Sequence, residues 1–395
     1  MSDATTPVIL AGCRTPIAKY LGGLAGFSAP KLGALAIMEA VKRAGIDPAT
    51  IDEVIMGHVL QGGTGQAPAR QAMIFAGLNG VIPAVTINKV CGSGLKAVML
   101  AAQSIKAGDN QVVVAGGMES MSNAVHYLPG IRGGIKIGNQ TMLDGMIHDG
   151  LWDVYGNVHM GDLAEYTAKK AGITRQDQDE YSAGSQTKAV AAMDAGRFAA
   201  EIVGVEIASK AGTTVFATDE GPRKGTTAEG LGRLKPSFQK DGTVTAGNAS
   251  TLNDGSSAVV VASLAYAKAH GLKPLARVTG YATGGGEPKD LFFAPIFAVQ
   301  NLMTKAGTSI GDYGLIEANE AFASQCLADG RGLNWDWDRV NVNGGAIALG
   351  HPIGASGTRI LVTLLHAMRD RKVATGLATL CLGGGNAVAL SVEAV

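Results

Sequence analysis

Apolar residues recur along the chain in two rhythms. Short unbroken runs, PVILAG from Pro7 to Gly12, Ile51 to Gly57, AVTINKV from Ala84 to Val90 and QVVVAGG from Gln111 to Gly117, have the length of buried strands. Between them lie alanine-rich stretches with apolar residues three and four apart, Pro30 to Ala44 and Gly92 to Ala107, which predict helices. The pattern returns late in the chain. Leu275 to Tyr281, Tyr313 to Ala318, Val340 to Asn343 and Gly376 to Cys381 predict strands, and Pro295 to Ala306 and Gly354 to Arg369 predict helices. Such alternation predicts an α/β layered fold with a mainly parallel sheet.

The two regions also align with each other. AVKRAGIDPATIDEVIMG ends at Gly57, and NLMTKAGTSIGDYGLIEAN ends at Asn319. With a two-residue gap, Cys91 falls opposite His351, each just ahead of a glycine-containing helix start. This points to an internal duplication. From about Ser122 to Thr251 the texture changes to Gly, Asp, His and Met, with plausible helices at Asp162 to Ala171 and Arg175 to Ala195. Long excursions from α/β sheets usually carry function, so this part reads as an insertion covering a site.

Composition narrows the function classes. Lys+Arg and Asp+Glu are both 33, so the net charge is zero, without the basic excess of a nucleic-acid binder. The 56 glycines come in scattered pairs and triplets, as tight turns and close backbone approaches require. Four cysteines, Cys13, Cys91, Cys326 and Cys381, lie far apart with no C-x-x-C pair. That predicts reduced thiols rather than a zinc ribbon or a disulfide scaffold. No secretory leader, lipidation signal or membrane-spanning run is apparent, so a cytoplasmic protein is expected.

Three positions could carry chemistry. Cys91, in INKVCGSGLKAV, sits between a strand and a helix. A thiol at a helix N-terminus feels the positive end of the dipole, which lowers its pKa, and its N–H could face an oxyanion. The same position also suits a buried structural cysteine. His351, in GGAIALGHPIGASGTRI, precedes Pro352, which restricts its backbone and so aims the imidazole. That suits a general base near neutral pH, or simply a turn histidine with a satisfied hydrogen bond. Cys381 ends an apolar run before Gly383-Gly384-Gly385, whose N–H groups could bind an oxyanion; a buried strand-end cysteine is the plainer reading. Asn319 and Glu320 leave a strand in IEANEAFAS, where Asn could equally cap the next helix. A Cys/His set without metal spacing suggests covalent thiol catalysis.

Taken in order, Arg14-Thr15-Pro16, NKVCGSGLKAV, VVVAGGMESMS, VHMG, VTAGNASTLNDG, NEAFA, GGAIALGHPIGASGTRI and CLGGG make the chain resemble the thiolases over nearly its whole length, closest to those that join two acetyl-CoA. The resemblance implies a duplicated thiolase fold, with two βαβαβαββ halves in five α-β-α-β-α layers and an inserted loop domain. It implies a nucleophile half from residues 1–121 with 252–274, a loop domain at 122–251 for coenzyme A and tetramer contacts, and a second half at 275–395. It implies Cys91 as acyl acceptor, His351 as its base, and Cys381 as the acid/base at the substrate α-carbon and leaving thiol. Asn319 would hold a water that, with His351, makes one oxyanion hole, and the N–H groups of Cys91 and Gly383 would make the other. Coenzyme A positions would be Leu151, His159, Met160, Arg223, Phe238, Ser250, Ala321 and Phe322. The implied reaction is reversible Claisen condensation of two acetyl-CoA to acetoacetyl-CoA and CoA through an acetyl-cysteine. These thioesters are substrates; no cofactor and no metal is expected. A homotetramer that binds neither nucleic acid nor membrane is implied.

The chain departs from the family's usual pattern at Asn386-Ala387, Gly230 and Asp162-Leu163, which bears on affinity and chain length rather than reaction type. The alternatives are a broader-range degradative 3-ketoacyl-CoA thiolase and, from another class, a non-catalytic thiolase-like lipid-binding subunit. The His159-Met160 pair favours short acyl chains, because a methionine over the thioester end fills the space that further carbons would need. In a plainer reading, Met160 packs the insertion and His159 caps a helix.

Overall fold

A computed structural model describes residues 2–210 and 212–395; Met1 and Ala211, within the first half and the loop domain expected above, lie outside the described residues. The strands that form the core are β1 (Pro7–Arg14), β2 (Glu53–Gly57), β3 (Ala84–Ile87), β4 (Val112–Ser120), β5 (Asn253–Ser263), β6 (Ala276–Gly285), β7 (Leu315–Ala318), β8 (Thr375–Leu382) and β9 (Asn386–Ala394). The principal helices are α1 (Ala29–Ala44), α2 (Pro68–Phe75), α3 (Ser93–Ala107), α4 (Met160–Ala171), α5 (Arg175–Asp194), α6 (Ala294–Ala306), α7 (Ala323–Leu333) and α8 (Ile353–Arg371).

The strands lie in the order β7-β8-β9-β6-β1-β5-β4-β2-β3. Among the described residues, the two halves of the sheet meet only where Val8 and Ile9 of β1 pair with Arg277 and Ala276 of β6. On either side of that seam the order repeats: β1-β5-β4-β2-β3 in one half, β6-β9-β8-β7 in the other. The duplication is therefore visible as topology. It is visible in the helix ends too: α1 stops at Gly45 (φ 65°) and α6 at Gly307 (φ 66°), both left-handed, where a side chain would be strained.

Helices fill three layers. α1 and α2 pack outside the first half against Val8, Leu10, Val54, Met56, Val112, Val114 and Val260. The alternate residues of the same strands, Ile9, Ile55, Val113, Ala115, Val259 and Val261, face inward to α3 and α8. α6 covers the far side of β6 and β9. β1 and β4 are buried along their full length, which is why they read as unbroken apolar runs and not as alternation.

The sheet corrects three sequence expectations. It is mixed, not mainly parallel: only β2–β3, β2–β4 and β7–β8 are parallel, whereas the central strands run antiparallel. The cause is the pair β5 and β9, absent from the sequence reading, which insert antiparallel beside β1 and β6. Val340 to Asn343 forms no strand. It makes a single parallel bridge, Ile316 to Val340, in the place that β3 fills in the first half.

The excursion carries α4 and α5, the latter opened by a Thr174/Asp177 capping box. It is anchored by Arg14, whose guanidinium donates to Glu201 at 2.7 Å and to both oxygens of Asp219 at 2.7 and 2.8 Å, all three groups buried. Removing one member of such a set leaves buried charge uncompensated, at a cost of about 3–5 kcal/mol.

Candidate active site

α3 and α8 lie side by side between the two half-sheets, and glycines let their backbones touch. A Cβ on Gly94 would stand 2.8 Å from the Thr358 nitrogen, and one on Gly357 would stand 2.3 Å from the Leu95 nitrogen. The approach brings the turns ahead of the two helices together. Cys91 stands on one and His351 on the other, and both line a cavity of about 530 Å³.

The Cys91 turn is shaped by its neighbours. Asn88 Oδ1 accepts from Val90 N at 2.9 Å, while Ser93 Oγ accepts from Lys89 N at 2.8 Å and donates to Val90 O at 2.6 Å. These bonds hold Val90 at φ 46°, an uncommon conformation for a β-branched residue. Gly92 is required sterically, since a Cβ there would lie 2.2 Å from Leu382 Cδ2. Burial pushes the Cys91 thiol up to about 12, although its own N–H and that of Gly383 both point at the sulfur and act in the opposite sense. The lowered pKa expected from the helix terminus is thus overturned: desolvation outweighs the dipole.

His351 is held more tightly. Its N–H donates to Asn253 Oδ1 at 2.9 Å. Nδ1 lies 2.6 Å from Ser356 Oγ, and that hydroxyl donates onward to Pro352 O at 3.0 Å. With the serine proton assigned to that carbonyl, and the Asn319 amide nitrogen facing Nε2, the tautomer assigned to the ring carries its proton on Nδ1 and leaves Nε2 bare. Asn319 Nδ2 stands 3.4 Å from Nε2, and Asn319 Oδ1 has no protein donor. Burial, reinforced by the Arg359 charge, pushes the imidazole down to about 3. The near-neutral base expected from the sequence is corrected for the same reason as the thiol. The resting pair is neutral thiol and neutral imidazole, not an ion pair.

Cys381, at the end of β8, lines the same cavity, and burial holds its thiol well above the usual range. Gly383 lies in the turn from β8 to β9, followed by Gly384 (φ 82°) and Gly385 (φ 83°). Asn319 is buried behind His351 and does not itself line the cavity.

Leu151, His159, Met160, Arg223, Phe238, Ser250, Ala321 and Phe322 all line it. His159 does two things at once. Nδ1 accepts from Gly161 N at 3.0 Å as the cap of α4, and its ring stacks on Phe238 with centroids 4.9 Å apart. The acceptor role of Nδ1 places the proton on Nε2. Met160, Leu291, Phe292, Phe322 and Cys381 form the buried end of the cavity, while Lys19 and Arg223 are exposed at the other. Leu291, Phe292 and Lys19 were missed in the sequence, because nothing in their local pattern marks a lining residue. Of the departures, Ala387 is buried and pairs across the sheet with Cys381, and Gly230 is exposed, with its N–H on Thr227 Oγ1 at 3.1 Å. Among the described residues, no group of three or more His, Cys, Asp or Glu side chains could hold a metal ion.

Residues 7–265 match the family model described as thiolase, N-terminal domain, and residues 272–394 match that described as thiolase, C-terminal domain. The chain is 56% identical to an acetyl-CoA acetyltransferase of Cupriavidus necator over 390 residues, covering 98% of this chain and 99% of that one. It is 54% identical to an acetyl-CoA acetyltransferase of Pseudomonas aeruginosa over 386 residues, covering 98% of each. The crystal structure of the Bacillus anthracis acetyl-CoA acetyltransferase superposes with a TM-score of 0.97 at 42% identity and full coverage of both chains. Cys91 and His351 at matching helix starts of a duplicated fold and Cys381 at a strand end, together with these full-length matches, show that the chain belongs to the thiolase family.

Proposed function

We propose that this thiolase is an acetyl-CoA C-acetyltransferase, joining two acetyl-CoA into acetoacetyl-CoA and CoA and running the reverse thiolysis. The observation that carries the reading is the meeting of Cys91, His351 and Cys381 at one cavity whose buried end is closed by Met160, Leu291, Phe292 and Phe322. In this mechanism His351 Nε2, bare at rest, takes the Cys91 proton as the sulfur attacks the thioester carbonyl. The carbonyl oxygen becomes an oxyanion facing the N–H groups of Cys91 and Gly383, which already point at the sulfur. The C–S bond to coenzyme A breaks, and the Cys381 thiol gives its proton to the departing thiolate, which leaves Cys381 as a thiolate and His351 holding the Cys91 proton on Nε2. A second acetyl-CoA then gives its α-proton to the Cys381 thiolate, restoring its thiol, while the Nε2–H of His351 and a water on Asn319 donate to the enolate oxygen. The enolate carbon attacks the acetyl-cysteine, and Cys91 leaves as a thiol with the proton that His351 returns, so that all three groups end as they began. Every step is proton transfer or acyl transfer, so no cofactor or metal is invoked.

Exposed Lys19 and Arg223 at the open end suit the coenzyme A phosphates, and the His159–Phe238 stack suits the pantetheine entry. A cytoplasmic homotetramer is the assembly we propose. Its support is exposed apolar surface. Leu128, Ile131, Ile135, Ile137 and Met142 stand out from the excursion, and Val81 and Val85 from the edge around β3. No helix among the described residues is long and apolar enough to cross a membrane.

The test is thiolysis of 3-ketoacyl-CoA substrates from C4 to C12. We expect kcat/KM to peak at C4 and fall steeply by C6, because overpacking against Met160 costs about 1–3 kcal/mol while each buried methylene contributes only about 0.8. A flat profile, or one rising to C8, would favour the degradative reading, and no turnover at any length would favour the non-catalytic one.

A further inference from the structure

The run GMESMS, at the end of β4, has no part in the chemistry above, yet its Glu119 is fully buried and bonds to the backbone beside both catalytic turns. Oε2 accepts from Gly354 N at 2.9 Å and from Val59 N at 3.1 Å. Oε1 accepts from Leu60 N at 3.2 Å, and His58 Nε2 also stands 3.2 Å from it. Gly354 is the second residue of α8, shortly after His351, and its N–H is one of those that a helix start leaves without a partner inside the helix. The carboxylate supplies that partner and puts negative charge at the positive end of the dipole. The contact is close: a Cβ on Gly354 would stand 2.7 Å from Oε2.

The other N–H groups lead to the nucleophile. His58, Val59 and Leu60 follow β2, and this segment is bonded to the one that precedes Cys91. His58 N donates to Ile87 O at 3.0 Å, and Asn88 Nδ2 donates to Val59 O at 3.4 Å. Asn88 is the residue whose Oδ1 shapes the Cys91 turn through Val90 N. Val59, Leu60 and Ile353, the first residue of α8, share one buried cluster, and Cys91 packs against it. A second carboxylate ties the same two parallel strands at their other ends. Asp52, exposed just ahead of β2, accepts from Gln111 N at 2.7 Å and Val112 N at 2.9 Å where β4 begins. Asp52 thus links the strand starts, and Glu119 links the strand ends that lead to the site.

We propose that Glu119 is a positioning residue for the acylation step: by holding the start of α8 and the Val59–Leu60 segment on one carboxylate, it sets how His351 Nε2 meets the Cys91 thiol. The proposal rests on the reading of His351 as the base that activates Cys91. The two residues precede different helices, and a misplacement of about 1 Å can cost about 100-fold in rate, so a shared anchor matters. A carboxylate suits the task, because it only accepts and every backbone group facing it is a donor. Glu119→Gln keeps the volume but loses the match: whichever way the amide turns, its NH₂ meets at least one backbone N–H.

The experiment measures the rate of Cys91 acetylation, by quench and mass spectrometry, over a range of acetyl-CoA concentrations in wild type, E119Q, D52N, H351N and E119Q/H351N. E119Q should slow acetylation at saturation by about 10- to 100-fold. The acetyl-CoA concentration for half-maximal rate should stay near wild type, because Glu119 does not line the cavity. D52N, the same exchange at the other ends of the same strands, should acetylate at the wild-type rate. In the H351N background, E119Q should cost no more than about twofold further, since a residue that acts by aligning the base has nothing left to align. A merely structural role would slow both backgrounds by the same factor. That outcome would overturn the proposal, as would a loss matched by D52N, or acetylation in E119Q within about threefold of wild type. If E119Q does not fold, E119D, which keeps the charge on a stem one methylene shorter that cannot serve both turns, is judged by the same cycle with H351N. Fast acetylation of Cys91 in H351N would instead overturn the reading of the base, whatever the Glu119 variants do.

Discussion

Cys91 and His351 stand at matching turns of the two halves, each just ahead of a long central helix, yet the two turns are built differently. The Cys91 turn is a strained loop, with Val90 at φ 46° and the sulfur partly open to the cavity. The His351 turn is locked from every side: Asn253 on its N–H, Ser356 on Nδ1, Asn319 beside Nε2, and Pro352 after it. A nucleophile must reach a carbonyl and then carry the acyl group, so its side chain needs room on one side. A base that shuttles one proton needs only a fixed lone pair. Duplication supplied two equivalent helix starts, and the difference between the turns divides the labour between them.

The largest expected effect comes from removing the open side. Cys91→Ala leaves His351, Cys381 and the oxyanion donors in place but has no sulfur to acylate. Thiolysis should fall by about 10⁴-fold or more. Mass spectrometry of wild-type protein treated with acetyl-CoA should find one acetyl group on the Cys91 peptide and none in the variant. Label on Cys13 or Cys326, both buried, would contradict the assignment.

A second prediction strikes the contact that brings the turns together. Gly357→Ala places a methyl 2.3 Å from the Leu95 backbone nitrogen, and backbone at a helix crossing cannot swing aside as a side chain can. Overpacking of this kind costs about 1–3 kcal/mol. The urea unfolding midpoint should drop, and acetylation of Cys91 should slow, because α3 and α8 must move apart. Gly184→Ala, on an open surface of α5 with nothing near its added methyl, should leave acetylation unchanged and raise the midpoint slightly, since glycine inside a helix costs about 0.5–1 kcal/mol relative to alanine. Loss of stability without any loss of acetylation would mean that the approach of the two helices does not set the Cys91–His351 geometry.

The two turns also differ in how legible they were. Glycine and proline punctuation marked both, so Cys91, His351, Cys381 and the duplication could be placed from the chain alone. β5 was harder to see because it opens with Asn253, Asp254, Gly255, Ser256 and Ser257, residues that favour turns. In the fold, Asn253 Nδ2 donates to Ala18 O at 2.9 Å, Ser256 Oγ to Leu32 O at 2.6 Å and Ser257 Oγ to Ala355 O at 2.8 Å, partners distant in sequence. The charge states were misread for a related reason. Helix dipoles are local and visible in a sequence, whereas burial is a sum over the whole fold, and at Cys91, Cys381 and His351 burial dominates. Arg359 and Glu317 illustrate the limit, since nothing in GASGTRI or YGLIEAN says that the two side chains meet without bonding.

The smallest effect, and the sharpest test of the locked turn, is Ser356→Ala. The hydroxyl accepts from Nδ1 and donates to Pro352 O; its loss leaves a buried imidazole N–H without a partner, while Pro352 O keeps the backbone N–H groups of Ala355 and Ser356. A buried polar group left unpaired costs about 1–3 kcal/mol. Part of that cost falls on the tautomer: with no acceptor at Nδ1, the form carrying its proton on Nε2 becomes competitive, and a nitrogen that already holds a proton cannot take one from Cys91. Acetylation should therefore slow by about 10- to 100-fold, while the KM for acetyl-CoA stays near wild type, because Ser356 does not line the cavity. The tautomer itself can be read from the nitrogen chemical shifts of the histidine ring in labelled protein. Wild type should show protonated Nδ1 and bare Nε2, and Ser356→Ala a mixture. A variant that slows without any change in those shifts would mean that Ser356 supports the turn only by packing, and that Nε2 is kept bare by something other than its partner across the ring.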